Sequence, residues 1–100
     1  MIPKKIIEEY FELKKEAEDG VLLMQVGLFF KIIGVDTIHL EEVLKVTEVA
    51  FNGEVLETCG FPGSALDKYI GKLVRKGLTV AIAPQIKNNS RSVNEIIRIQ

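Results

Sequence analysis

From residue 3 to residue 18 the apolar side chains Ile6, Ile7, Tyr10, Phe11, Leu13 and Ala17 recur at helical spacing. They predict a helix from Pro3 to Glu18. Pro3 suits its first turn, where a missing N–H costs nothing, and Asp19-Gly20 stops it, with Gly20 free to take a left-handed cap. The pattern then changes. Val21–Val26 and Leu28–Ile33 are short apolar runs bounded by Gly20, Gly27 and Gly34, and they predict two paired strands around a turn at Gly27. In VDTIHLEEVLKV, Ile38, Val43, Leu44 and Val46 return to near-helical spacing, with Asp36 or Thr37 as the cap. Residues 48–51 and 55–58 predict a hairpin closed by Asn52-Gly53.

The second half repeats the alternation. Leu66, Tyr69, Ile70, Leu73 and Val74 form the apolar stripe of a helix from Ser64 to Lys76. Ser64-x-x-Asp67 reads as a capping-box variant and Gly77 as the C-terminal stop. Leu78–Ala83 is apolar except at Thr79, as expected of a central strand covered on both faces. Lys87–Ser92 reads as a polar loop, and Val93–Ile99 as a last strand near an edge. The order αββαββαββ predicts an α/β (α+β) domain with a mixed β-sheet flanked by about three helices.

Composition bounds this picture. The chain has 100 residues, 47% hydrophobic and 27% charged, which fits one globular domain over residues 1–100 and excludes bulk disorder. One cysteine, Cys59, forbids an intrachain disulfide, and one histidine, His39, leaves a His/Cys metal site short of ligands. No apolar run approaches ~18 residues, and the charged N-terminus is no signal peptide, so a cytoplasmic location without membrane contact is expected. Net charge is −1, but residues 1–60 carry 6 basic and 12 acidic side chains, and residues 61–100 carry 7 and 2. That asymmetry points to an anionic partner for the second half.

Catalysis finds no support. There is no nucleophile elbow, Cys/His pair, phosphate loop or dinucleotide fingerprint, and no cofactor is implied. His39 has no obvious partner. Glu12-Leu13-Lys14 spells the E-x-K of metal-dependent nucleases, but lies on a charged helix surface with no upstream strand Asp. Two features suit binding. Strand alternation sends Phe29, Lys31 and Ile33 to one side and Leu28, Phe30 and Ile32 to the other. A ring and a cation on one face can stack on a base and approach a phosphate. On the second helix, Lys68, Lys72, Arg75 and Lys76 form one basic stripe. Like charges at i, i+4 repel, and a phosphate backbone would offset that repulsion.

The order of motifs resembles the N-terminal domain of the MutS family, the mismatch-recognition domain I. After a helix around EEYFELKKE, VLLMQVGLFFKIIGVD resembles the family's strand–Gly–x–Phe–aromatic–Glu–x–x–Gly–x–Asp pattern. CGFPGSALDKYIGKLVRKGLTVAIAPQI is similar to its Gly-hydrophobic-Pro-x-x-Ala, helix, Lys-Gly, Val-Ala-Ile-x-x-Gln-Ile run, and VNEIIRI to its closing strand. The resemblance implies a Phe that wedges into a duplex and stacks on a mispaired base, which falls here on Phe29. The Glu that bonds the base is replaced by Lys31, and Leu28 stands where the family usually has Asp. A lysine cannot accept the hydrogen bond a carboxylate accepts.

The expectation is therefore a non-catalytic nucleic-acid-binding accessory module, with Phe29, Lys31, Lys68, Lys72, Arg75 and Lys76 as the contacts. Its partner would be DNA or RNA. One hundred residues leave no room for a clamp or an ATPase, so a free-standing domain with salt-dependent affinity is expected. The alternative is a protein-interaction module that recruits a polymerase or reverse transcriptase through exposed Phe29 and Ile33.

Overall fold

The computed structural model describes residues 2–17, 19–85, 91–93 and 95–97. Its elements are helix α1 (Lys4–Glu16), strands β1 (Val21–Val26) and β2 (Phe29–Ile33), a 3-10 turn (Val35–His39), strands β3 (Thr47–Phe51) and β4 (Glu54–Pro62), a 3-10 turn (Gly63–Ala65), helix α2 (Leu66–Arg75), and strands β5 (Val80–Ala83) and β6 (Glu95–Ile97). The strands form one sheet in the order β3-β4-β2-β1-β5-β6. It is mixed: β1 and β5 run parallel, and the other neighbours are antiparallel. The expected α+β architecture is present.

Alternation along β1 divides the core between the two sides of the sheet. Val21 and Leu23 join Phe30, Ile32, Cys59, Phe61, Val80 and Ile82 under α2, whose Tyr69 and Leu73 complete that layer. Leu22 and Met24 join Ile33, Ala81 and Ala83 under α1, which contributes Ile7, Tyr10, Leu13 and Ala17. β5 is buried on both faces, as its apolar run predicts. The Tyr10 hydroxyl donates to the Leu22 carbonyl at 2.9 Å, so the buried phenol is paired. On the other side, Phe30, Phe61 and Tyr69 stack in series at 6.0 and 4.4 Å and tie β2 and β4 to α2.

Several local expectations fail for identifiable reasons. Of the expected third helix only the 3-10 turn exists, and Asp36 and Thr37 do not cap it. The Thr37 hydroxyl instead donates back to the Gly34 carbonyl at 2.9 Å, and Asp36 pairs with Lys14 at 3.1 Å. Ile38 and Val43 are exposed, whereas Leu40 is buried and Leu44 and Val46 pack against the α2-side core without a helix to carry them. The Ser64–Asp67 capping box is not formed: the 3-10 turn leads directly into α2 without a side-chain cap. Gly20 is not in the left-handed region. It sits in a crowded place instead, where a Cβ would stand 3.0 Å from the Ala17 carbonyl oxygen and 3.1 Å from that of Thr79. The stop at Gly77 holds: its φ is 84°, and the Leu78 N–H to Leu73 carbonyl and Gly77 N–H to Val74 carbonyl bonds make a Schellman motif. The expected loop Lys87–Ser92 and last strand Val93–Ile99 fall partly outside the described residues. Within them, β6 pairs antiparallel with β5 at the sheet edge.

Candidate nucleic-acid interface

The site begins at the β1–β2 turn. Val26 pairs with Phe29, which leaves Gly27-Leu28 as a two-residue loop. Gly27 has φ 62°, and Leu28 is not in the left-handed region, the pattern of a type II′ turn. This turn matches the twist of the strands and places Phe29 at the first paired position of β2. The ring is 44% exposed, while the next residue, Phe30, is 6% exposed on the opposite side. Leu28, at the apex, is 85% exposed. Leu28 thus belongs to the turn, not to the strand.

Lys31 lies two residues on, with its ammonium 5.7 Å from the Phe29 ring centroid. Its stem crosses Gly60, the residue opposite it on β4. A Cβ at Gly60 would stand 2.9 Å from the Phe30 carbonyl oxygen and 3.1 Å from Lys31 Cδ, so only glycine leaves that lane open. Beyond Lys31 lies a cavity of about 320 Å³ lined by Ile2, Lys31, Thr47, Glu48, Val49, Ala50 and Thr58. The pair therefore offers an aromatic face, a cation over it and a shallow groove beside it. Such a surface can stack a planar group and attract an anion.

The turn is held by side chains far away in sequence. The Gly27 N–H donates to Gln85 Oε1 at 2.9 Å, the Gln85 N–H donates to Gln25 Oε1 at 2.8 Å, and Gln25 Nε2 donates to the Gly27 carbonyl at 3.1 Å. These three bonds close a ring. Behind it, Arg91 donates to the Gln25 carbonyl and to Glu9 Oε1 at 2.6 Å on α1, with its side chain only 4% exposed. The sequence reading missed this clamp, although the Gln of the Val-Ala-Ile-x-x-Gln run is one of its members.

The other predicted residues stand elsewhere. Lys68, Lys72, Arg75 and Lys76 are on or next to α2, which packs on the Phe30 side of the sheet, away from Phe29 and Lys31. The six residues therefore form two groups on opposite faces. Lys68 has its ammonium 5.4 Å from the Tyr69 ring, and Arg75 folds back toward Gly71. Lys76 is bound to the Glu42 carboxylate and the His39 carbonyl. That contact holds the Glu42 carboxyl below its usual range. Ile33 is 2% exposed in the α1-side core, so it offers no interface with Phe29. His39 Nε2 stands 3.8 Å from Asp36 Oδ1, beyond hydrogen-bond reach. Burial pushes the Cys59 thiol up to about 11, partly countered by Lys31, and an un-ionised thiol is a poor nucleophile. Among the described residues no group of His, Cys, Asp and Glu could hold a metal ion, and no helix is long and apolar enough to cross a membrane.

A mixed sheet with one helix on each side, carrying a half-exposed ring beside a hydrogen-bonded β1–β2 turn, defines a small α+β domain. Comparison with known proteins supplies the family. Residues 4–99 match the family model described as MutS domain I, and the chain belongs to that family. The DNA mismatch repair protein MutS of Porphyromonas gingivalis is 35% identical over 95 residues, covering 92% of this chain and 11% of that protein. The DNA mismatch repair protein MutS of Phocaeicola vulgatus is 37% identical over 86 residues, covering 83% and 10%. That of Parabacteroides distasonis is 34% identical over 91 residues, covering 88% and 10%. The chain thus spans about a tenth of the length of the curated relatives it matches.

Proposed function

We propose that this domain binds DNA without catalysing a reaction, using Phe29 as a ring that enters at a weakened base step and stacks on one base. The observation that carries the reading is the half-exposed Phe29 on a braced turn with the Lys31 ammonium over it, in a chain of the MutS domain I family. Its relatives carry the name DNA mismatch repair protein. Lys31 neutralises the phosphate nearest the stacked base. As an ammonium it donates hydrogen bonds and accepts none, so any base contact it makes is to an acceptor atom. Lys68, Lys72 and Arg75 attract the polyanion from the other face at longer range, and Lys76, engaged by Glu42, contributes least.

Fluorescence anisotropy with labelled matched duplex, mismatched duplex, one-base bulge, single strand and RNA tests the reading. Phe29→Ala weakens binding to the bulge or mismatch by ~1–3 kcal/mol while matched duplex is little affected. Equal affinity of the variant and the native protein for every ligand would remove Phe29 from binding. No binding to any ligand at low salt would remove the function.

A further inference from the structure

We infer that Gln85 and Gln25 are positioning residues for Phe29: their hydrogen-bonded ring with Gly27 fixes the turn so that the aromatic is presented, already oriented, to an unstacked base step. The inference rests on the DNA-binding reading above. A ring that enters a base step must hold its angle against the stacked bases on either side. A two-residue turn carrying an exposed Leu28 and a half-exposed Phe29 has no core packing of its own to supply that stiffness. Here the stiffness comes from polar contacts. Both backbone groups of Gly27 are engaged, the N–H by Gln85 Oε1 and the carbonyl by Gln25 Nε2. Gln85 is itself tied to Gln25 through its backbone N–H. The Gln25 carbonyl accepts from Arg91, which reaches Glu9 on α1. On the other flank, the Gly63 N–H donates to the Leu28 carbonyl at 2.8 Å, tying the apex to the start of the α2 connection. The turn is thus braced from β1, from the end of β5 and from the β4–α2 junction. Each glutamine uses its side chain in the direction its chemistry allows: an amide can accept at Oε1 and donate at Nε2, and Gln25 does both. Restraint applied before binding lowers the ordering entropy to be overcome on binding.

Two substitutions at Gln85 separate this role from a general loss of structure. Gln85→Met keeps length and apolar stem but removes the acceptor for the Gly27 N–H. Gln85→Glu keeps an acceptor oxygen. The readout is the ratio of affinities for one-base bulge and matched duplex, which cancels the added charge of the glutamate. Gln85→Met lowers this ratio about three- to tenfold, and Gln85→Glu leaves it near the native value. Hydrogen exchange at the Gly27 amide speeds up in Gln85→Met and not in Gln85→Glu. In a Phe29→Ala background, Gln85→Met changes the ratio no further, because the clamp acts only through the ring. If Phe29→Ala lowers the ratio and Gln85→Met does not, the clamp is overturned and the binding reading stands. If the two losses multiply in the double variant, Gln85 acts elsewhere and the inference fails. If Phe29→Ala itself leaves the ratio at the native value, the binding reading fails, whatever Gln85 does to the Gly27 amide.

Discussion

Cys59 and Lys31 face opposite sides of the sheet, yet their neighbours decide how each behaves. Cys59 is 4% exposed and surrounded by the aliphatic and aromatic side chains under α2. Burial raises its thiol to about 11, above the ordinary 9. A raised acid is un-ionised in the folded state while the unfolded chain can ionise it. Its contribution to stability is therefore complete below pH 9 and is lost as pH rises from 9 toward 11. Urea melts across that window should show a decline on the order of 2 kcal/mol that is absent in Cys59→Ala. Iodoacetamide at pH 8 should leave the native thiol unmodified and label it in urea. The position of the ring was legible in the sequence because strand alternation alone separates Phe29 from Phe30. The Gly60 lane was not, because it depends on which β4 residue lies opposite Lys31, and register is a tertiary fact.

At the scale of elements, strong local signals held and weak ones were overridden. Asn52-Gly53 makes its hairpin with φ 51° and 79°, the positive pair that a type I′ turn demands. The run VAIA makes a strand buried on both faces, flanked by β1 and β6. The segment after Gly34 fails to become a helix: β-branched Val35, Thr37 and Ile38 disfavour it, and the Thr37 side chain competes for the backbone. At α2 the two ends behave differently, and mutation should show it. Ser64→Ala, at a box that is not formed, should change stability by less than about 0.5 kcal/mol. Gly77→Ala, at φ 84°, should cost about 1 kcal/mol, because a Cβ strains the left-handed cap. Thermal melts of the two variants decide both.

At the scale of the whole molecule, the two groups of basic residues proposed as contacts fall on opposite faces of the sheet. The basic residues 68, 72, 75 and 76 gather at α2, on the face opposite the Phe29 turn, a separation the sequence could not show because it follows from how the sheet order lays the helices on its two sides. Two kinds of electrostatic contribution follow. Lys31→Gln should reduce the slope of log affinity against log salt by about 1, as expected for one lost phosphate contact. Replacing Lys68, Lys72 and Arg75 together by Gln should weaken every nucleic acid alike and leave the bulge-to-duplex ratio unchanged. Anisotropy titrations at several salt concentrations measure both effects.

The parallel pairing of β1 with β5 also governs how the chain can fold. Val21 lies beside Val80 and Leu23 beside Ile82 at the middle of the sheet, so neither core layer is complete until two distant segments meet. Closing so long a loop is entropically costly and slow. During synthesis, α1 and the two hairpins would emerge from the ribosome before the β5 residues that complete each layer. Only when Val80–Ala83 follows can β1 gain its second neighbour, and the end of that same strand brings Gln85 to brace the Gly27 turn. The step that closes the core is thus also the step that sets the aromatic in place.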